Sequence, residues 1–306
     1  MRLRSLLFVP GDSERKLAKS AGAKADVLIL DLEDSVAPSQ KQVARERVRA
    51  YMANATGRGA TQLWVRINPV DLPEAMTDLA AVMSARPDGI IQPKTRSPDD
   101  LIRLSHYLDA FEAQHRLEPG ATKILPVATE TPQAIFSIGG FARCGIRLAG
   151  LTWGAEDLST AVGAMTNKQD DGSWAHPYQL ARSLCLFGAH AAGVPAIDTL
   201  FADFRDTAGL RAACALARRD GFSGKVAIHP DQVAVINSAS RRVPKKWRTH
   251  GASSRCSKQI QAPARWPWTG RCWIFHICAK RNELPGRWIH PHRERQIAKL
   301  ESYFAT

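Results

Sequence analysis

Polar residues recur at or just after the ends of the apolar runs in this sequence. They are carboxylates, two cations, an amide and an imidazole: Asp31, Glu33, Asp34, Arg66, Asn68, Lys94, Glu130, Glu156, Asp157, Asp198 and His229. Carboxylates from separate segments, without matching His or Cys, suit a hard cation such as Mg²⁺ rather than zinc. Arg66 could hold a substrate carboxylate or a developing enolate oxygen. Any single member could equally be a salt bridge or a cap, but the set predicts a catalytic mouth.

Eight short apolar runs must position these residues. Each is apolar on both faces, as strands covered by helices are. The runs cover residues 4–10, 26–34, 62–68, 89–94, 123–131, 148–158, 193–200 and 224–230. Amphipathic stretches lie between them, and several open with a capping residue or a proline and close on a glycine. This alternation predicts an α/β fold, a (β/α)8 TIM barrel with its chemistry at the C-terminal ends of the strands. A doubly wound open sheet is the alternative.

Charge divides the chain near residue 240. The 306 residues carry a net charge of +13, yet residues 1–239 hold 27 basic and 26 acidic residues. Residues 240–306 hold 15 Lys and Arg against 3 Asp and Glu, five of the eight Trp, and no Asp. The sequence therefore predicts a barrel domain over 1–239 and an aberrant, irregular basic tail over 240–306.

Several classes of protein are disfavoured. The sequence has no Walker loop, no GxGxxG and no GxSxG motif, the signatures of P-loop, dinucleotide and hydrolase sites. No apolar run approaches the ~20 residues of a membrane span. The six cysteines lack regular spacing and the N-terminus does not resemble an export signal, so we expect free thiols in the cytoplasm. Cys144, Cys185 and Cys214 are expected to be packing residues.

Ordered motifs give the chain a family resemblance. They are RSLLFVPGDSERKLAKS, ADVLILDLEDSVAPSQK, VRIN, IQPK, TET, WGAEDL and GFSGKVAIHPDQVAVIN. Residues 2–238 thereby resemble the citrate lyase β-subunit-like branch of the HpcH/HpaI aldolase superfamily. The resemblance implies a Mg²⁺-binding TIM barrel, trimeric or hexameric. It also implies a carbon–carbon lyase for acyl-CoA substrates such as malyl-CoA, citramalyl-CoA or a citryl thioester, giving acetyl-CoA (or an acetyl thioester) and a 2-oxo acid.

The same resemblance assigns roles to particular residues. Glu130 and Asp157 correspond to the Mg²⁺ ligands, and Arg66 to the arginine at the substrate carbonyl. Glu33 and Asp34 belong to the acidic motif and are expected to take part in catalysis. Lys94 and Glu130 are expected, with Arg66, to contact the substrate. In many members a C-terminal Asp, in a segment resembling DG-M-D-PH, moves the proton and closes over a neighbouring subunit's site. This sequence has no Asp after residue 231.

The missing segment reappears when the tail is read in another frame. With the third base of one codon and the first two of the next, Trp268-Thr269 must encode Asp and Trp273-Ile274 must encode Asp. Cys272-Trp273 must encode Leu, and permitted codons elsewhere turn residues 268–277 into DGQMLDIPHL. We interpret residues from about 239 onward as frameshifted, so we expect Mg²⁺ and oxo-acid binding with weak or absent lyase turnover.

Other functions remain open on the sequence alone. The chain could be an aldolase for a free hydroxy acid, independent of CoA. It could also be a non-catalytic protein whose basic, Trp-bearing tail binds nucleic acid. A zinc site from the tail's Cys and His residues is the weakest interpretation, because the spacing lacks paired CxxC motifs.

Overall fold

The computed structural model describes residues 1–55 and 60–240, and in these it contains eight β-strands. The strands are β1 Ser5–Pro10, β2 Val27–Asp31, β3 Gln62–Arg66, β4 Gly89–Gln92, β5 Lys123–Pro126, β6 Leu151–Thr152, β7 Ala196–Asp198 and β8 Gly224–Ala227. All paired strands are parallel. Each strand falls within one of the eight predicted apolar runs.

Helices separate the strands along the chain. They are α1 Glu14–Ser20, α2 Lys41–Asn54, α3 Pro73–Val82, α4 Pro98–His115, α5 Pro132–Ser137, α6 Glu156–Ala161, α7 His176–Ala191, α8 Thr207–Asp220 and α9 Pro230–Ala239. Their starts carry the predicted signals. Ser97 caps α4 by accepting from the Asp99 amide, and Thr131 likewise caps α5, each just before a proline at the first helical position.

The sheet closes into a barrel. Its strand order is β5-β4-β3-β2-β1-β8-β7-β6. The two end strands are joined by backbone hydrogen bonds from the Ala149 amide to the Ile124 carbonyl (2.9 Å) and from the Ala128 amide to the Thr152 carbonyl (2.7 Å). The predicted TIM barrel is thus confirmed, and the open-sheet alternative is wrong.

Two groups of buried side chains fill the molecule. The larger lies between the strands and the surrounding helices. The smaller is formed by residues that the strands direct inward, including Leu6, Ile29, Trp64, Leu125 and Val226. Because alternate side chains of a barrel strand face opposite sides, this second group fills the barrel interior.

Gly89 on β4 is required by that interior packing. A Cβ at this position would lie 2.6 Å from the ring of the fully buried Trp64. No real side chain tolerates such a contact, so the glycine leaves the space that the indole occupies beside β4.

The run over 148–158 contains less strand than predicted. β6 has two residues, Leu151 and Thr152, and α6 begins at Glu156. Glu156 and Asp157 are therefore in the first turn of a helix, where the helix dipole favours carboxylates, rather than at the end of a strand. The turn still follows β6 directly, so both residues remain at the C-terminal side of the barrel.

The described cysteines agree with the prediction of free thiols. Cys144, Cys185 and Cys214 are free thiols, and the latter two are buried in the core. Burial raises the pKa of all three, that of Cys144 to about 11, so they are protonated and unreactive near neutral pH.

No helix among residues 1–55 and 60–240 has the length and apolarity that crossing a bilayer requires. The predicted tail and its frameshift lie outside the described residues, apart from residue 240.

Candidate active site

The barrel brings the six predicted site residues together at the C-terminal ends of its strands. They come from five segments between β2 and α6, and an ion pair or a charge interaction links each residue to at least one of the others. They are Glu33 and Asp34 after β2, Arg66 at the end of β3, Lys94 after β4, Glu130 after β5 and Asp157 in α6. Parallel strands end at one face of the barrel, which is why residues far apart in the chain meet here.

Arg66 is held rigidly by carboxylates. Its Nε and Nη2 atoms donate to the two oxygens of Asp31, each at 2.6 Å. Its Nη1 lies 2.9 Å from Glu33 Oε2, and its guanidinium lies 4.6 Å above the centre of the Phe8 ring. Burial by itself would lower the pKa of Arg66. The hydrogen bonds to Asp31 and the charges of nearby carboxylates together outweigh burial, so the pKa lies above its ordinary value. The bidentate edge is thus occupied by Asp31, and substrate binding by Arg66 stays a prediction.

Lys94 connects both sides of the site. Its backbone is left-handed (φ 46°), an uncommon conformation for a residue with a side chain. In this conformation its amide donates to Glu130 Oε2 at 2.6 Å. Its ammonium group donates to Glu33 and, at 2.8 Å, to Asp34. Partial burial opposes the charge, but these two carboxylates raise the pKa of Lys94.

Glu130 and Asp157 form an acidic pair with an incomplete set of partners. Glu130 is only 7% exposed, and the Lys94 amide is the donor seen for its carboxylate among the described residues. Burial, and then the charge of Asp157, raise the pKa of Glu130 to about 8. Asp157 is 3.6 Å from the Lys94 ammonium. A buried carboxylate beside a second one is stabilised when a cation joins them.

Gly154 keeps the space beside Glu130 open. A Cβ at position 154 would lie 3.1 Å from Glu130 Cγ and Oε1. The glycine of the GAED motif thus leaves room for a ligand against this carboxylate.

A cavity of about 190 Å³ adjoins the pair. Five charged residues line it, namely Asp34, Arg66, Glu130, Glu156 and Asp157. The other lining side chains are apolar apart from the hydroxyls of Thr152 and Thr199 and the indole nitrogen of Trp153. Larger cavities of about 660 and 770 Å³ elsewhere in the described part do not contain Arg66, Glu130 or Asp157.

Three polar residues predicted at the mouth have other partners. The Asn68 amide group donates to Asp78 and to the Leu32 carbonyl. His229 accepts a hydrogen bond from the Asp231 amide and so caps α9. These residues stabilise loops and helix ends, so the predicted mouth is smaller than the sequence indicated.

Asp198 is the third exception. It pairs with Lys225 at 2.8 Å and with Arg182 at 3.2 Å, and accepts from the Trp153 indole at 2.8 Å. With three donors its carboxylate is fully used inside the protein.

Sequence reasoning missed Phe8, Thr152 and Gly154 as parts of the site. Strand alternation in β1 and β6 could have indicated that Phe8 and Thr152 face the barrel interior. Gly154 precedes two acidic residues, but only the fold shows that it faces Glu130.

Comparison with known proteins agrees with this geometry. The profile of the family described as HpcH/HpaI aldolase/citrate lyase matches residues 4–230, well over half of the chain. The chain belongs to this family. The predicted resemblance is confirmed.

Named relatives within the family have several activities. The β subunit of citrate lyase from Haemophilus influenzae is 33% identical over 235 residues, covering 77% of this chain and 78% of the relative. Mitochondrial citramalyl-CoA lyase from Rattus norvegicus is 31% identical over 255 residues, covering 80% and 73%. The (3S)-malyl-CoA thioesterase from Cereibacter sphaeroides (strain KD131) is 34% identical over 239 residues, covering 77% and 76%.

Solved structures of this family superpose on the barrel. The citrate lyase β subunit from Mycobacterium tuberculosis, complexed with oxaloacetate and magnesium, is 30% identical with a TM-score of 0.66. The alignment covers 79% of this chain and 98% of that one. A second structure from the same organism, with magnesium, acetoacetate and coenzyme A, has the same identity and TM-score, covering 79% and 82%.

Proposed function

We propose that this protein is a Mg²⁺-dependent carbon–carbon lyase of the aldolase type. Its substrate is a 3-hydroxyacyl-CoA such as malyl-CoA, citramalyl-CoA or a citryl thioester, and its products are acetyl-CoA (or an acetyl thioester) and a 2-oxo acid. The observation that carries the proposal is the buried, incompletely partnered Glu130 with the partly exposed Asp157 beside a small cavity. The named lyase activities of the relatives support it.

The residues present fit a magnesium ion. Among the described residues no group of three or more His, Cys, Asp or Glu side chains could hold a metal. Mg²⁺ needs fewer protein ligands, because it keeps several waters and is commonly held by one or two carboxylates together with substrate oxygens. Glu130 and Asp157 would hold it, and Gly154 leaves the space beside Glu130. When bound, the ion supplies a Lewis acid that polarises the substrate's oxygens.

Arg66 and Lys94 supply fixed positive charge at the same site. Asp31 orients the Arg66 guanidinium and Glu33 and Asp34 orient the Lys94 ammonium, so neither cation must reorganise when negative charge develops on the substrate. Such preorganisation is a large contribution to catalysis of reactions that pass through an enolate. Glu33 and Asp34 act here by positioning Lys94, and we propose no direct contact with substrate for them.

Proton transfer is the step for which this chain is least equipped. A general acid or base must move a proton between the substrate hydroxyl and the enolate carbon. The family's C-terminal Asp has no counterpart after residue 231. We therefore expect the protein to bind Mg²⁺ and a 2-oxo acid but to show weak or absent lyase turnover. A turnover number equal to that of an in-frame relative would contradict this part of the proposal.

The test is product analysis with malyl-CoA and citramalyl-CoA, in Mg²⁺ and in EDTA. Acetyl-CoA together with glyoxylate or pyruvate, formed only with Mg²⁺, supports the lyase. Free CoA with the intact hydroxy acid would instead indicate hydrolysis, as in the thioesterase relative. Cleavage of free malate or citramalate at equal rate would favour the CoA-independent alternative. Salt-sensitive DNA retention, lost on deleting residues 240–306 and unaccompanied by cleavage, would favour nucleic-acid binding.

We also propose a cytoplasmic homo-oligomer, a trimer or hexamer. The free thiols of Cys144, Cys185 and Cys214 suit a reducing compartment, and the assembly is implied by the resemblance. Light scattering after size exclusion measures the mass directly, and a monomeric mass would refute the assembly.

A further inference from the structure

Thr152 has a hydroxyl without a partner among the described residues. The residue is 4% exposed, and its Oγ1 forms no hydrogen bond in the described part of the chain. A buried hydroxyl that forms no hydrogen bond costs free energy, and native proteins contain few of them. Such a group calls for a physical explanation.

The position of Thr152 on its strand directs it into the cavity. Its neighbour Leu151 belongs to the core between barrel and helices, and its other neighbour Trp153 reaches Asp198 with its indole. Side chains of a strand alternate, so Thr152 faces the barrel interior, where it lines the 190 Å³ cavity. Leu125 and Val127 on the adjoining strand and loop line the same cavity and offer no polar side-chain atom.

The two cations at the site are already paired with carboxylates of the protein. Arg66 is held by Asp31, and Lys94 by Glu33 and Asp34. A carboxylate entering the cavity therefore meets few uncommitted donors. The Thr152 hydroxyl is one, and a cavity of this size accommodates an acid of a few carbons but not a nucleotide.

We propose that Thr152 is a substrate-contacting, specificity-determining residue whose hydroxyl donates to a carboxylate oxygen of the 2-oxo acid in the cavity. The inference rests on the function proposed above and adds a contact from an uncharged side chain that lines the cavity. It explains why a hydroxyl is retained where an isosteric valine would pack without an unsatisfied group.

The test compares Thr152→Val with a matched control, Thr122→Val. Thr122 on the loop before β5 is also buried (1% exposed) with an unpartnered Oγ1, and it does not line the cavity. Sodium pyruvate is titrated calorimetrically into the full chain at saturating Mg²⁺. We expect Thr152→Val to weaken pyruvate binding about tenfold, as loss of a hydrogen bond to a charged group does. Thr122→Val should bind as the wild type does, and Thr152→Ser should restore most of the affinity.

Stability without pyruvate provides the second measurement. Both valine variants remove an unsatisfied hydroxyl, so their Tm should be unchanged or raised by ~2–4 °C. If Thr152→Val instead unfolds, Thr152→Ala compared with Thr152→Ser tests the same hydroxyl.

Either of two results would overturn this inference alone, and a third would reject the proposed function with it. Wild-type affinity in Thr152→Val, and in Thr152→Ala, would show that the hydroxyl does not contact the acid, while leaving the lyase proposal intact. Equal weakening in Thr122→Val would show a general effect of buried threonines. Absence of pyruvate binding by the wild type would reject the oxo-acid site itself, and the proposed function with it.

Discussion

Glu130 and Asp198 are both buried carboxylates at the C-terminal side of the barrel, yet their surroundings differ. Asp198 is 4% exposed and accepts from Lys225, Arg182 and Trp153. Burial raises its pKa, but the charges of Lys225 and Arg182 outweigh burial, so its pKa is lowered. Glu130 is 7% exposed, accepts from one backbone amide, and has its pKa raised to about 8. Burial is therefore similar, and the number of donors separates a structural carboxylate from one available to a ligand.

The largest effect is expected from Glu130→Gln. Loss of the charge removes one of the two proposed Mg²⁺ ligands, so Mg²⁺ binding should weaken. Any lyase activity that the wild type shows should fall on the order of 10³-fold, since metal polarisation is worth several kcal/mol. Stability should stay the same or rise, because an amide is less costly to bury than this carboxylate. Steady-state kinetics and Mg²⁺ titration check both. The exposed Glu46 on α2 provides the control, Glu46→Gln, which should behave as wild type. Undiminished Mg²⁺ binding by Glu130→Gln would remove Glu130 from the site.

The reverse pattern is expected from Asp198→Asn. The change leaves the buried Lys225 and the half-buried Arg182 without their shared carboxylate, which should lower the free energy of unfolding by about 3 kcal/mol. Mg²⁺ affinity of the folded protein should not change. Urea unfolding with parallel Mg²⁺ titration measures the two effects. If Asp198→Asn were as stable as wild type, the ion pairs of Asp198 would not stabilise the fold. The proposed contrast with Glu130 would then be wrong.

Stability of the metal-free protein should fall as the pH rises from 6 to 9. The folded protein holds the Glu130 proton up to about pH 8, whereas the unfolded chain releases it near its ordinary value of 4.5. The stabilisation from this raised pKa is complete below pH 4.5 and is lost as the pH rises through about 8, at up to about 1.4 kcal/mol per pH unit.

Between pH 6 and 8 the loss should reach about 2 kcal/mol. The pKa of Asp198 is lowered from its ordinary value of 3.8, so its titration changes the stability only at more acid pH and not between pH 6 and 8. Mg²⁺ should restore stability at high pH, because it binds the deprotonated carboxylate. Thermal unfolding in EDTA at several pH values measures the slope. The same slope in Glu130→Gln would assign the effect to another group.

The smallest effects are expected from replacing two lysines, Lys94 near Glu130 and Lys225 beside Asp198. Lys94→Met removes a partly exposed ammonium from Glu33 and Asp34, so we expect kcat/KM to fall about tenfold with little change in Tm. Lys225→Met removes a buried partner of Asp198, so we expect Tm to fall while kcat/KM is unchanged. Differential scanning fluorimetry and the lyase assay on both variants test the contrast. Equal Tm losses would mean that the two clusters are both structural.

Much of the site could be predicted from the sequence because it follows the strand order. Lys94 and Glu130 each lie at the end of an apolar run, beyond the last residue of β4 and β5, and the strands of a barrel bring such residues to one face. The same rule overestimated the site, since Asn68 and His229 also follow strands but bind the Asp78 carboxylate and the Asp231 amide. Proximity to a strand end places a residue at the mouth, whereas its partners come from other elements.

Periodicity and motif order are local properties of the chain, so the class of fold, the family and the six candidate site residues could be predicted from the amino acids alone. Contacts in the folded protein then show which of those charges have partners. Asp31 occupies the bidentate edge of Arg66, three donors neutralise Asp198, and the Lys94 amide reaches Glu130. Only the fold shows that Thr152 lines the cavity and that its buried hydroxyl has no partner among the described residues. Hydrogen bonding and burial depend on how close segments that are far apart in the sequence come in the folded protein. The spacing of residues along the sequence does not give these distances.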